Sequence, residues 1–348
     1  MRLLPEPAVA QILRQLTPTQ CHGFLDALCE ALTAVSFQSR QSGLERLIHQ
    51  PLRSTITTRE QNLSLFMPVS NTTSTGIKIV TASQANGIIG VINIFSPEGK
   101  LQGLLSAAEI TAFRTALAVM SLFLRCASIQ KEHILIFGSG RQAEWHARLA
   151  LLLVPDQIKK ITVINRGRRR MAELEKDVIA DLRSSHPNVT FSTLVKEDTP
   201  DYEEMLRTEL ASCDVIFSCT PATEPNFPST YLQPFRPRFI SLIGSYKPHM
   251  REIDTETLLS GGGKIYVDSK EACLEESGEL ILAEVKEDQL VEIGEMFGGM
   301  TKEQPADVPE GCNVVFKCVG MGIMDLVVGN KLLEIGRELG IGMEVDGF

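Results

Sequence analysis

From residue 133 onward the chain alternates short, uninterrupted apolar runs with amphipathic stretches, and few folds accept that order. The runs are HILIFG (133–138), KITVIN (160–165), VTFSTL (189–194), DVIFSCT (214–220), RFISLIG (238–244), KIYVDS (264–269) and NVVFKCVG (313–320). A strand with one wet face alternates apolar and polar residues. A continuous apolar run suits a strand covered on both faces, as in a parallel sheet flanked by helices. The expected fold is therefore α/β, built on a doubly wound sheet.

The turn after the first run is Gly138-Ser139-Gly140-Arg141-Gln142-Ala143, which fits G-x-G-x-x-A. The motif is weak in isolation, and the same turn can merely reverse the chain. Here a strand precedes it, a helix follows, and a second strand begins about twenty residues later, which is the dinucleotide-binding context. Gly138 permits a tight turn, and Gly140 lets backbone N–H groups approach a pyrophosphate at the helix N-terminus. Ala143 lets the helix pack closely on the sheet. Ser139, Arg141 and Gln142 complete the candidate cradle.

The end of the second strand selects the nucleotide. An acidic residue there binds a ribose 2′-hydroxyl and repels a 2′-phosphate. This chain has Asn165 and then Arg166, followed by Arg168, Arg169 and Arg170. Arginine suits a phosphate through charge-assisted, often bidentate bonds. Arg166 is assigned to the 2′-phosphate, Arg169 and Arg170 to a solvated helix face, and the expected cofactor is NADPH/NADP.

The first 132 residues have another texture. Residues 6–35 predict a helix, with Thr17 or Thr19 as a cap. Between about 50 and 105 lie short β-like runs, with SPEGK (96–100) as a hairpin turn. Ser106 and Glu109 resemble a capping box opening a long helix over 107–128. A last helix is expected over 322–340, and a loop over 294–311.

Composition excludes several classes. The 34 basic and 43 acidic residues leave a net charge of −9, a poor balance for general nucleic-acid binding. No apolar run approaches the ~18 residues of a membrane span, and the N-terminus does not read as a secretory signal. The eight cysteines contain no C-x-x-C pair and predict reduced, buried thiols in a cytoplasmic protein. No metal site is assigned.

Several stretches together resemble the ornithine cyclodeaminase/mu-crystallin family. They are MPVS (67–70) with GIKIV (76–80), GLLSAAEITAFRTA (103–116), GSGRQAEWHA (138–147), DVIFSCTPATEP (214–225), LIGSYKPHMREID (242–254), VDS (267–269) and VVFKCVGMGIMDL (314–326). They run in order along nearly the whole chain. The resemblance implies a homodimer with a discontinuous substrate-binding and dimerisation domain, residues 1–115 and 320–348, around a Rossmann NADP-binding domain, residues 116–319. It also carries over Arg53, Lys78 and Arg114 as the basic residues that hold an amino or imino acid carboxylate. The residues agree: Lys78 lies in an apolar β-like run and Arg114 in an amphipathic helix, where an unpaired charge is costly. An anionic ligand would relieve that cost, as would an internal carboxylate such as Glu109.

The departures from the cyclodeaminase branch matter more. Cyclodeaminases of this family carry an acidic residue where this chain has Tyr246, and a glutamate where it has Leu65. Those carboxylates manage the protons of a diamine substrate. The resemblance therefore points to the mu-crystallin-type ketimine reductases: hydride transfer from NADPH to the C=N carbon of a small, cyclic α-imino acid. Arg114 with Arg53 would clamp the carboxylate, and Lys78 would supply a proton or hydrogen bond, which arginine cannot usefully do. Thr220 to Thr223 and Val319-Gly320 are expected to line the nicotinamide side. The alternatives are an amino acid dehydrogenase or ornithine cyclodeaminase, and a non-catalytic NADPH-binding protein.

Overall fold

The computed structural model describes residues 1–38, 45–83, 87–297 and 309–347. The chain divides into two compact units, Met1–Thr115 with Gly320–Phe348, and Ala116–Val319. No helix among the described residues is long and apolar enough to cross a membrane.

The first unit begins with β1 (Arg2–Leu4), α1 (Glu6–Arg14) and α2 (Pro18–Gln38). The sequence pattern predicted one helix over 6–35, but there are two. Pro18 has no N–H to donate and its ring clashes with the preceding turn, so α1 ends before it and α2 opens on it. Thr17 caps the new helix: its Oγ1 accepts the Gln20 N–H at 3.2 Å, and Gln20 Oε1 accepts the Thr17 N–H at 3.0 Å. The strands β2 (Ser54–Thr57), β3 (Leu63–Ser70), β4 (Thr75–Ser83), β5 (Gly87–Phe95) and β6 (Leu101–Ser106) follow. The β5–β6 turn is closed by the Ser96 N–H on Lys100 O, at 2.8 Å. Next comes α3 (Ala107–Phe123), which begins in this unit and ends in the other. It stops short of the expected residue 128, because bonds from Arg125 to Leu122 O and Cys126 to Phe123 O tighten the last turn, and Lys131 Nζ takes the Cys126 carbonyl at 2.9 Å.

The second unit contains β7 (His133–Phe137), α4 (Arg141–Leu153), β8 (Lys160–Asn165), α5 (Arg168–Leu174), α6 (Ala180–Ser185), β9 (Thr190–Val195), α7 (Tyr202–Ser212), β10 (Val215–Ser218) and β11 (Phe239–Leu242). It continues with α8 (Thr255–Leu258), β12 (Ile265–Val267), α9 (Lys270–Glu276), α10 (Gly278–Leu282), β13 (Leu290–Glu292), α11 (Ile293–Phe297) and β14 (Val314–Lys317). The order across the sheet is β13-β12-β14-β11-β10-β7-β8-β9, every pair parallel. All residues of β7, β10, β11 and β14 are buried, as continuous apolar strands require. Strand order reverses between β7 and β10, and the ends of strands at such a switch point form a ligand-binding crevice. The sequence pattern missed β13, which is too short to show a period. Of the loop expected over 294–311, residues 298–308 lie outside the described residues, and 294–297 belong to α11.

The chain returns to the first unit with α12 (Gly322–Glu338) and β15 (Met343–Glu344). The seven-stranded order there is β15-β1-β6-β5-β4-β3-β2. The strands β15 and β1 at one side of it were not foreseen. They pair the two chain ends, helped by Arg2, whose Nε donates to Ile341 O at 2.8 Å and whose Nη1 meets Glu344 at 2.6 Å. One face of the sheet, carrying Met67, Val69, Lys78, Val80, Ile92 and Ile94, is buried, with α12 packed on it. The approach is close: a Cβ on Gly329 would lie 2.7 Å from Ile94 Cδ1, and one on Gly76 would lie 2.9 Å from Leu326 Cδ1. On the other face Ile56, Ile89 and Val91 are exposed.

Candidate active site

The second unit holds a groove of about 760 Å³ at the ends of β7, β8 and β10. The turn after β7, whose residues 138–142 are not among those lining the groove, has the features a dinucleotide needs. Gly138 has φ +107°, its N–H donates to Ile164 O at 2.8 Å, and a Cβ there would lie 2.9 Å from Cys219 O. Only glycine meets both demands. Gly140 caps α4 without a side-chain bond, and a Cβ on it would meet nothing within 4 Å. The start of α4 thus has no side-chain cap, an arrangement that leaves its first N–H groups for a phosphate. Ser139 Oγ and Gln142 Oε1 are buried with no hydrogen-bond partner among the described residues, Arg141 is exposed at the helix start, and Ala143 is 2% exposed. These observations fit a nicotinamide dinucleotide.

Arg166, Arg169, Arg170 and Lys196 stand on the groove wall. Arg166, Arg169 and Arg170 form no ion pair among the described residues. Their neighbour Arg168 is committed elsewhere, to Asp198 at 2.6 Å and Glu175 at 2.9 Å. The sequence pattern assigned Arg169 and Arg170 to a solvated helix face; both are exposed, and both also line the groove. Asn165 serves the turn, its Nδ2 donating to Gly167 O at 2.7 Å. Thr220 lies on the groove wall and donates its N–H to Glu252 Oε1 at 3.0 Å. Val319, just past β14, is not among the wall residues; its N–H donates to Asp268 Oδ1 at 3.2 Å.

The first unit holds a cluster of buried charge. Lys78 on β4 is 3% exposed, Arg114 on α3 is 4% exposed and Asp325 on α12 is 0% exposed. Lys78 Nζ lies 2.6 Å from Asp325 Oδ2, and Arg114 Nε lies 3.3 Å from Oδ1. Burial drives the Lys78 pKa down to about 8; Asp325 opposes the shift, while Arg114 and Arg53 add to it. Arg53, half-buried before β2, thus acts on the same lysine. Gly320 has φ +89°, and a Cβ there would lie 2.3 Å from Arg114 Nη1, so the guanidinium occupies space only a glycine leaves.

The internal carboxylate on Arg114 is not Glu109. Five residues along a helix turn through about 140°, so the two point apart, and Glu109 lies 3.8 Å from Arg14 instead. Asp325 comes from a segment 211 residues away. It was visible only as a letter in GMGIMDL, and no local signal ties it to Arg114. One carboxylate still serves two cations, with Arg53 nearby. The surplus positive charge in a buried place is complementary to a further anion.

Tyr246 is half-buried, its ring 5.7 Å from Lys247 Nζ. Leu65 pairs with Val80, and Met67 with Lys78, so Leu65 shares the lysine's face of the sheet. A carboxylate at 65 would stand diagonally beside the lysine; leucine places none there.

The model of the ornithine cyclodeaminase/mu-crystallin family matches residues 10–335. An uncharacterised protein of Saccharomyces cerevisiae, YGL159W, is 31% identical over 311 residues, 80% of this chain and 83% of that protein. The ketimine reductase mu-crystallin of Macropus fuliginosus is 29% identical over 325 residues, 89% of this chain and 91% of its own. Among solved structures, Thermococcus litoralis Delta(1)-pyrroline-2-carboxylate reductase, in complex with NADH and L-proline, superposes with a TM-score of 0.79 at 21% identity, over 99% of this chain and 100% of that one. With the family model covering nearly the whole length, this chain belongs to the ornithine cyclodeaminase/mu-crystallin family.

Proposed function

We propose that the chain is an NADPH-dependent reductase of the C=N bond of a small cyclic α-imino acid. The observation that carries this reading is the buried Lys78–Asp325–Arg114 cluster. It offers surplus positive charge for a carboxylate and one lysine able to give up a proton near neutral pH. Relatives named as ketimine and pyrroline-2-carboxylate reductases support the reaction class. Small imino acids, not the diamines of a cyclodeaminase, suit a cluster in which Leu65, on the lysine's face of the sheet, supplies no proton-managing carboxylate.

Arg114, steadied by Asp325, holds the substrate carboxylate with Arg53, which fixes the imine carbon in place. Lys78 keeps a proton below about pH 8 and delivers it, or a hydrogen bond, to the imine nitrogen. Gly138–Gln142 would hold the cofactor's pyrophosphate and Arg166 its 2′-phosphate, and the reduced cofactor, when bound, would supply the hydride. Thr220, on the groove wall, and Val319, just past β14, would border its reactive end. The Thermococcus structure holds NADH; the preference for NADPH here rests on Asn165 and Arg166 at the end of β8. The first unit binds substrate and pairs with a second copy, and the second unit binds the cofactor.

The test is a panel of five- and six-membered cyclic ketimine carboxylates, with NADPH and NADH oxidation followed by absorbance, beside ornithine with either oxidised cofactor. NADPH-dependent reduction with little ammonia released from ornithine is expected. Robust proline and ammonia from ornithine, with no ketimine reduction, would restore the cyclodeaminase reading.

A further inference from the structure

We propose that Glu252 is a positioning residue for the nicotinamide end of the cofactor. The inference rests on the dinucleotide reading of the groove. Glu252 lies between β11 and α8 and is 0% exposed. Its Oε1 accepts the Ser218 hydroxyl at 2.7 Å and the Thr220 N–H at 3.0 Å. Its Oε2 accepts the N–H groups of Gly244 at 2.7 Å and Ser245 at 3.3 Å. One carboxylate therefore ties the end of β10 to the end of β11. Past a strand end the ladder no longer pairs backbone groups, so without Glu252 these partly or fully buried donors would lose their acceptor.

The two strand ends leave no slack. A Cβ on Gly244 would lie 1.9 Å from Thr220 O. Asn226, on the groove wall, joins the same network: its Nδ2 donates to Ser218 Oγ at 3.0 Å and to Thr220 Oγ1 at 2.9 Å. Glu252 is itself held, its N–H donating to Glu279 Oε1 at 2.8 Å. The Ser245 hydroxyl also donates to Glu279, and Lys317 Nζ donates to Ser245 O at 2.6 Å and lies 3.7 Å from Glu279. Two carboxylates and one ammonium, all buried, are a poor choice for stability alone, since an apolar cluster of similar volume does as well or better. This cluster sits at the carboxyl edge of the doubly wound sheet, where ligands bind. What it fixes is the backbone of Thr220, across the strand-order reversal from the arginines at the end of β8.

Thr220 and the arginines line one groove, and on the dinucleotide reading they would meet different ends of the cofactor. A fragment that stops before the nicotinamide rests on Gly140 and the arginines, whereas the complete molecule also depends on Thr220. Glu252→Gln keeps the shape but turns an NH₂ toward an N–H donor on one of the two strands. Calorimetry with 2′-phospho-ADP-ribose and with NADPH, on wild type and variant, reads the consequence. The expected result is fragment affinity within about twofold of wild type, NADPH affinity lower by about tenfold or more, and kcat lower with the imine KM unchanged. Equal losses for fragment and NADPH, or no loss for NADPH, would overturn the assignment. If Glu252→Gln does not fold, Ser218→Ala removes one donor to Glu252, and wild-type NADPH affinity and kcat in that variant would overturn it equally. A wild-type chain that binds neither compound removes the dinucleotide reading itself, a result distinct from the loss of selectivity in the variant.

Discussion

Lys78 must hold a proton while almost wholly withdrawn from water. Burial has brought its pKa to about 8, against the opposing pull of Asp325. The proton is present below that value, so kcat/KM for imine reduction should fall as pH rises through about 8. Asp325→Asn removes the partner that favours the charged form, which should move this limb to lower pH and reduce turnover. A pH–rate profile unchanged by the substitution would deny Asp325 that part. Lys78→Arg preserves charge without a usable acid, and near-normal turnover in that variant would reduce Lys78 to an electrostatic role. On the cofactor side, Arg166→Ala should weaken NADPH by about 1.5–3 kcal/mol, the range for hydrogen bonds to charged groups. NADH should barely respond, and equal losses measured by titration would sink the 2′-phosphate assignment.

At the scale of the elements, the turn between β14 and α12 places both Gly320 and Asp325 around one guanidinium. Gly320→Ala meets two obstacles, the left-handed φ of +89° and Arg114 Nη1 at 2.3 Å. The backbone conformation alone costs roughly 1–2 kcal/mol for a residue with a Cβ. Displacing Arg114 should raise the imine KM, while NADPH affinity, which depends on the other unit, stays near wild type. A variant with wild-type KM would show that the guanidinium can move without consequence for binding. Local signals set other boundaries. Thr17 and Pro18 divide α1 from α2, and Thr17→Ala should lower stability by about 0.5–2 kcal/mol in a denaturant titration.

For the whole molecule, Ile56, Ile89 and Val91 are 56%, 59% and 37% exposed on one face of the first unit's sheet. Apolar side chains are thus exposed on β2 and β5 of the same face, and a two-fold dimer through it is expected. Sedimentation at micromolar concentration should give twice the 38.3 kDa of the chain, and Ile89→Glu should shift it toward monomer. A wild-type monomer would contradict the assembly. Stability should respond to pH in two opposite ways. Burial would lift the Glu209 carboxyl, but hydrogen bonds from His133, Lys160 and Thr162 outweigh it and hold the pKa at about 2, below its ordinary 4.5. Its contribution is present above pH 4.5 and is lost as pH falls toward 2. Glu252 is the reverse: burial, opposed by Lys317 and reinforced by Glu279, lifts it to about 7. The folded state then binds the extra proton, so this group's contribution declines as pH rises from 4.5 to 7. Glu252→Gln should flatten thermal stability across that window, and an unchanged slope would place the titration elsewhere.

Continuous apolar runs were enough to locate seven of the eight strands of the doubly wound sheet, because burial on both faces leaves its mark on every residue of a strand. Gly138 was legible for the same reason: a backbone demand, φ +107°, is written at the position that meets it. Lys78 and Arg114 stood out as charges in apolar surroundings, but their shared partner did not, since nothing local distinguishes Asp325 from any aspartate early in a helix. Packing α12 across β3, β4 and β5 brings it there, over a separation of 211 residues. Glu252 escaped notice likewise: its four donors lie on two strand ends, and only the parallel register of β10 with β11 assembles them. Arg169 and Arg170 follow the same logic, their place on the groove wall depending on where β10 ends beside β7. Periodicity records how much of each residue is buried. Which charge meets which depends on distances between segments far apart in the chain, and those exist only once the sheets and helices have packed.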